Sequence, residues 1–238
     1  MKRFYKEVAV VADDAGYGVR LDGKPVLTPA RRPLLAPCAA LAEAMAAEWE
    51  AQKDTIKPDA MPLTRLANSA IDGVSERRLE VVADLTGYAE TDLICYWAEH
   101  PRELAARQAH GWRPLLDWAA SRFGANLQTF GGVMPQPQPA DAVAALGQAV
   151  AALDPFHLAA LHLMTTAMGS LVLALAVAER RLDAEAAFDL AEIDERYQRE
   201  QWGEDQEAAL RRARIRTDVK TAARFLILLG GERPPSAV

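Results

Sequence analysis

Two cysteines and four histidines in 238 residues leave this chain little from which to build a disulfide framework or a metal cage. Cys38 and Cys95 stand far apart in apolar surroundings and read as small buried hydrophobes, as expected in a reducing compartment. Among the histidines, His157 and His162 are five apart, which puts them on different faces of a helix rather than at the spacing of a zinc pair. No ExxH pair of the di-iron bundle type occurs, and no GxSxG elbow. The expectation is therefore no metal, no cofactor and no small-molecule substrate. A basic surplus is lacking as well: the formal net charge of −6 argues against nucleic acid as the main ligand, although Arg211, Arg212, Arg214 and Arg216 form one local basic patch. The N-terminus MKRFYKEVAV has no apolar core segment, so it reads as neither a secretory signal nor an organellar presequence.

Long hydrophobic runs are scarce, with one exception. Leu158 to Ala178 carries no formal charge beyond that of a protonated His162. Its length suits a membrane span of about 20 residues. It is, however, rich in Ala, Thr, Gly and Ser, and it has no aromatic belt. It is read as a helix buried in an all-helical core, without membrane insertion, and Gly169-Ser170 as a close-approach point for a neighbouring helix.

What is present sorts into a mixed N-terminal part and a helical C-terminal part. Val8, Val10 and Val11 precede a turn at Asp13-Asp14-Ala15-Gly16, and Val19 and Leu21 lead into Asp22-Gly23, a two-residue hairpin signal. Pro25 to Thr28 is the expected return strand. From Pro37 the period becomes helical, with Leu41, Met45 and Trp49 on one face. Helices are expected at Leu63–Ile71, Glu76–Tyr88 and Glu103–Phe123, the last kinked or restarted by Pro114. Asp92 to Ala98 is ambiguous, and Asn126 to Met134 reads as a strand. Pro135-Gln-Pro137-Gln-Pro139 favours a stiff connector. After it come helices at Asp141–Leu153, Phe156–Glu179, and Asp183 to about Gln201, with Gly203 as an interruption and a last helix ending at Gly230-Gly231. The expected class is α+β: a small antiparallel β-containing domain with helices (1–134), a connector (135–140), an all-α domain (141–231) and a frayed tail (232–238).

Two groups of residues invite a chemical reading. Gly18-Val-Arg-Leu-Asp-Gly23-Lys24-Pro25 matches GxxxxGK, but Pro stands where a phosphate loop needs Ser or Thr, and a hairpin rather than a helix follows. The other is a carboxylate-rich aromatic cluster: Glu192, Asp194, Glu195, Tyr197, Gln198, Glu200, Trp202, Glu204, Asp205 and Glu207. Three readings compete there. It could be an acid–base site built on Glu192 and Glu195, a solvated face neutralised by Arg196, Arg199, Arg211 and Arg212, or an acidic, aromatic docking surface. The break at Gly203 beside an indole favours docking, because exposing both is costly unless a partner uses them. Trp49, Arg65 and Asn68 read as structural, with Trp49 in the core and the other two tying their helix to a neighbour.

The chain resembles a known family through ordered blocks: Lys2-Arg-Phe-Tyr-Lys6, Leu21-Asp-Gly-Lys-Pro25, Thr28-Pro29, Glu48-Trp-Glu-Ala-Gln52, Met61-Pro-Leu-Thr-Arg-Leu-Ala-Asn68 and Asp92-Leu-Ile-Cys-Tyr96. The blocks continue with Gln108, Trp112, Pro114-Leu115, Gly169-Ser170, Glu195-Arg-Tyr-Gln198 and Trp202-Gly203. They are similar to the ATP synthase assembly chaperones that act on the alpha subunit of the soluble catalytic head. The resemblance implies a non-enzymatic protein that binds the free alpha subunit and shields it until the beta subunit arrives. It also implies a β-containing N-terminal and a helical C-terminal domain. Site residues implied are Glu195 first, then Gln198, Trp202, Gly203, Glu204, Asp205 and Glu207. With no presequence, a bacterial cytoplasmic protein is expected; a processed eukaryotic one would lie in the mitochondrial matrix.

Overall fold

The computed structural model describes residues 1–132, 134 and 136–230. The chain forms two compact units. The first holds Met1–Arg78, Asp154–Ala160 and the described residues from Arg224; the second holds Leu79–Leu153 and Leu161–Ala223. The proline run expected to mark the boundary lies inside the second unit. Gln138 shows why it does not swing free there. Its amide accepts from Gln128 N (2.8 Å) and donates to Gln128 O (2.9 Å), fastening the run to the segment before it. Val133, Pro135 and the tail 231–238 lie outside the described residues.

In the first unit, β1 (Val8–Asp13) pairs antiparallel with β2 (Gly16–Leu21), Val10 facing Val19. Asp22 and Gly23 both take positive φ (48° and 79°), as a two-residue turn matched to strand twist requires. This turn occupies the GxxxxGK stretch, which therefore cannot curl around a phosphate. The return strand β3 is shorter than expected, only Lys24–Pro25, because the chain bends back on itself at Thr28 and Arg32. A short β4 (Leu35–Ala36) pairs with β2 instead.

Helix α1 (Ala39–Glu50) buries Leu41 and Met45. Trp49 is half-buried and meets the Tyr5 ring edge-on at 5.8 Å, while Tyr5 Oη donates to Trp49 O (2.7 Å). Helix α2 (Pro62–Asn68) starts at a proline, which already holds helical φ, and the Glu48 carboxylate accepts from Leu63 N, Thr64 N and Thr64 Oγ1, each at 2.8 Å. Arg65 pairs with Asp59 (3.2 Å) on the surface, just ahead of its own helix. The Asn68 side-chain oxygen is buried without a hydrogen-bond partner among the described residues, so the expected tie to a neighbour is absent at that atom.

The second unit is mainly helical. Helix α3 (Arg78–Tyr88) leads to a 3-10 turn at Leu93–Cys95 and β5 (Tyr96–Trp97). Helix α4 (Arg102–Phe123) continues through Pro114 as one element, with no restart there. The strand expected over Asn126–Met134 contracts to β6 (Phe130–Gly131), parallel to β5. Helix α5 (Ala140–Ala151) follows. The run read as one helix is two, α6 (Pro155–Met168) and α7 (Leu171–Ala178), the second buried over Leu171–Val177. Gly169 is not a close-approach point. A Cβ there would only touch Leu93 at 3.9 Å; the residue breaks the helix at φ +69°. Among the described residues no helix is long and apolar enough to cross a membrane. The class is α+β as expected, with the strands of the described residues confined to the first 131 positions and helices thereafter.

Candidate partner-docking site

The segment that carries the acidic cluster forms two helices and the start of a third. Asp183 caps α8 (Ala184–Ala191) by accepting from Ala186 N at 2.7 Å, as the sequence indicates. The helix does not continue to Gln201 in one piece; Glu192 leaves helical geometry, and α9 (Ile193–Trp202) follows. Gly203 then takes φ +81° and ψ −177°, a conformation open essentially to glycine alone. Asp205 restarts the chain as α10 (Gln206–Leu229), its Oδ1 accepting from Ala208 N at 2.8 Å.

These turns enclose a groove of about 580 Å³. Glu192, Glu195, Gln198, Trp202, Gly203, Glu204 and Asp205 all line it, together with Leu93 from the 3-10 turn and Met168 and Gly169 from the α6–α7 break. Glu207, in the exposed first turn of α10, does not line it. Trp202 is 79% exposed, a large apolar residue given to solvent beside the groove. The charges are unevenly matched. Arg199 binds Glu192 (2.9 Å) and approaches Glu204 (3.9 Å), and Arg212 pairs with Glu204. Glu195 has no ion pair among the described residues. The protein wall around it removes water on that side and raises its pKa, with Glu192 and Asp194 pushing the same way.

A fully buried carboxylate holds the base of the groove. Asp92 Oδ1 accepts from Ile94 N (3.3 Å) and Oδ2 from Val172 N (3.0 Å), and Leu93 N donates to Gly169 O (3.1 Å). Thus Leu93 and Gly169, both lining residues, are fixed to each other. Burial pushes Asp92 up to about 6 against the bonds it receives from Ser170 and the backbone of Val172, Ile94 and Leu171. On the other side of α9, the side chain of Trp112 is fully buried and donates Nε1–H to Leu190 O at 2.9 Å. Gly111 is a true close approach: a Cβ would sit 2.8 Å from Leu190 Cδ2 and 3.0 Å from Ile193 Cδ1.

Six of the seven docking candidates named from the sequence thus meet at one groove. Trp49, Arg65 and Asn68 lie elsewhere, in α1 and α2 of the first unit. Asp92 and Leu93 were not among the candidates, although they open one of the ordered blocks; the periodicity of their own segment was ambiguous. The enzymatic alternative calls for a concave site and a strongly shifted carboxylate; Glu195 lines the groove and burial raises its pKa, but short of a strong shift. Its companion Glu192 is neutralised by Arg199. Among the described residues no cluster of His, Cys, Asp and Glu could hold a metal ion. Replacing Gly203 with alanine is expected to cost about 1–3 kcal/mol of backbone strain without a packing clash, since no described residue beyond its two chain neighbours lies within 4 Å of the added Cβ. The loss should appear as faster amide exchange over 203–208 with a small change in overall melting; unchanged exchange would show that the break tolerates a side chain.

The same architecture occurs in proteins of known lineage. Residues 2–120 match the family model of the ATP12 chaperone protein. Atp12 of Paracoccus denitrificans, solved both as such and as a mutant, is 44% identical, with a TM-score of 0.93 over 96% of this chain and 98% of that one. The Atu1473 protein of Agrobacterium tumefaciens is also 44% identical, with a TM-score of 0.91 over 96% of this chain and 86% of that one. The mitochondrial protein atp12 of Schizosaccharomyces pombe is 23% identical over 220 residues, 87% of this chain and 75% of its own length. With the fold, the ordered blocks and the relatives in agreement, the chain belongs to the ATP12 chaperone family, the chaperones of ATP synthase assembly.

Proposed function

We propose that the protein binds the free alpha subunit of the ATP synthase catalytic head and shields it until it pairs with beta. An unassembled ring subunit exposes apolar interface and self-associates, so a chaperone needs an apolar contact that can later let go. The observation that carries this reading is the exposed Trp202 beside a groove whose Glu195 forms no ion pair among the described residues, Arg199 acting on it only from a distance. An aromatic anchor beside a carboxylate that has no salt-bridge partner suits a basic and apolar patch on a polypeptide. Gln198, Gly203, Glu204 and Asp205 would shape the contact, with Glu207 at its margin. The bacterial relatives favour the cytoplasm as its place of action.

The test is retention of isolated alpha subunit by the immobilised protein. Glu195→Lys is expected to weaken that binding at least tenfold, about 1.4 kcal/mol, while leaving the melting temperature unchanged because the side chain reaches solvent. A variant that melts lower would make Glu195 structural, and a wild-type protein that neither binds the subunit nor keeps it in solution would end the reading. The raised pKa sets the sign of the pH effect. Glu195 gains a proton earlier than an ordinary glutamate as the solution is acidified, so binding should weaken as pH falls through that raised value.

A further inference from the structure

A second cavity in the same unit, of about 390 Å³, lies among Leu93, Tyr96, Trp97, Gln108 and Asp194 and is mostly apolar. Asp194 is the one acidic group among its described lining residues. Its Oδ1 accepts from Gln108 Nε2 at 2.6 Å. Gln108 has no freedom in this: its side chain is buried and its own oxygen accepts from Ala98 N at 2.7 Å, so its N–H group must face Asp194. No basic side chain forms an ion pair with Asp194 among the described residues. Arg113, on the neighbouring helix, lies instead over the Trp97 ring, 4.6 Å from its centroid. Burial accordingly raises the Asp194 pKa, with the Gln108 bond opposing. A mostly apolar pocket bordered by a carboxylate without an ion pair suits a long aliphatic side chain with a cationic tip. With Oδ1 already engaged, the remaining oxygen fits a single ammonium better than the two-pronged guanidinium, which seeks both oxygens at once.

We infer that this pocket is a receptor for one lysine side chain of the partner polypeptide, with Tyr96, Trp97 and Leu93 around its methylenes and Asp194 receiving its ammonium. The inference rests on the chaperone reading for the identity of the partner but not for the chemistry of the pocket. It adds to the Trp202 groove a second anchor, and Leu93 lines both.

Two measurements on the full chain test it. The first titrates N-acetyl-lysine methylamide against the protein and follows the Trp97 indole N–H by NMR, with N-acetyl-norleucine methylamide as the control that keeps the stem and lacks the ammonium. The lysine probe should shift the Trp97 signal several-fold more than the norleucine probe, and Asp194→Asn should remove the difference. Equal shifts, or a preference that survives Asp194→Asn, would overturn the inference. The second measures binding of isolated alpha subunit to the wild type and to Asp194→Asn. A loss of about tenfold is expected, with a melting temperature equal to or above that of the wild type, because a half-buried charge without a salt-bridge partner has been removed and the asparagine oxygen can still accept from Gln108. A variant that melts lower would make Asp194 a structural partner of Gln108 and overturn the inference; so would unchanged binding. If the wild type fails to bind the alpha subunit while the lysine probe still depends on Asp194, the pocket stands and the partner assignment falls.

Discussion

Trp112→Ala is expected to lower stability by about 3–5 kcal/mol, a large share of the roughly 5–15 kcal/mol that holds a protein folded. The side chain is fully buried, and α4 presents it directly beside Gly111, where the helices meet too closely for any Cβ without displacing Leu190 and Ile193. Removing the indole empties a volume that such a tight contact cannot collapse to fill. It also leaves Leu190 O without the donor now 2.9 Å away. Leu190 lies in the last turn of α8, directly before the residues of the groove, so the damage should spread to partner binding. Trp112→Phe separates the two losses, because it keeps most of the volume and removes the hydrogen bond. Its deficit in thermal unfolding should be well under half that of alanine. Equal losses for the two variants would place the energy in the hydrogen bond rather than the packing.

The parts of this fold that were legible in the sequence are those fixed by local stereochemistry. Asp22-Gly23 announces its hairpin because both residues tolerate positive φ, and Asp183 announces its helix because its carboxylate reaches Ala186 N. Trp202-Gly203 was legible for a related reason: a glycine that breaks a helix next to an indole leaves both uncovered. The broken helix at Gly169 was not. The run that follows it is apolar on every face, so it carries no period from which a change of direction could be read. Of the two-residue strands, β3 and β6 were expected but longer, β5 lay in the ambiguous segment and β4 was missed, because alternation needs more length to show. Within the site, the acidic face of α9 was visible, but the residues that give it shape were not. Asp92 meets Val172 across 80 positions and Gln108 meets Asp194 across 86, and no spacing rule connects residues so far apart. Of the two expectations at Pro114, a kink or a restart, the restart failed for a different reason. A proline removes one helical hydrogen bond, and the packing of Trp112, Leu115 and Leu116 on the buried face outweighs that loss.

Replacing Asp92 is the second large effect, and its size depends on pH in a definite direction. In the fold this carboxyl ionises at about 6 rather than at the 3.8 of an ordinary aspartate, because burial penalises the anion more than the surrounding N–H groups favour it. Between those two values the folded protein holds a proton that the unfolded chain has released. The contribution of Asp92 is therefore complete below the lower value, declines as pH rises, and reaches its minimum above the higher one. At about 1.4 kcal/mol for each pH unit that separates the two, the decline is on the order of 3 kcal/mol. Asp92→Ala removes the acceptor for Ile94 N and Val172 N at any pH, and each orphaned donor costs about 1–3 kcal/mol. The alanine variant should thus be markedly less stable than the wild type near pH 4 and closer to it at pH 7, where the wild type carries a buried anion. Denaturant unfolding at the two pH values measures the gap. A gap that widens with rising pH would mean that the anion stabilises the clasp, and that the helix start at Val172 outweighs burial. The same variant bears on the groove, since Leu93 and Gly169 line it and are joined through this clasp. Loosening Asp92 should weaken the proposed binding of the alpha subunit even though the residue lies too deep to touch a partner.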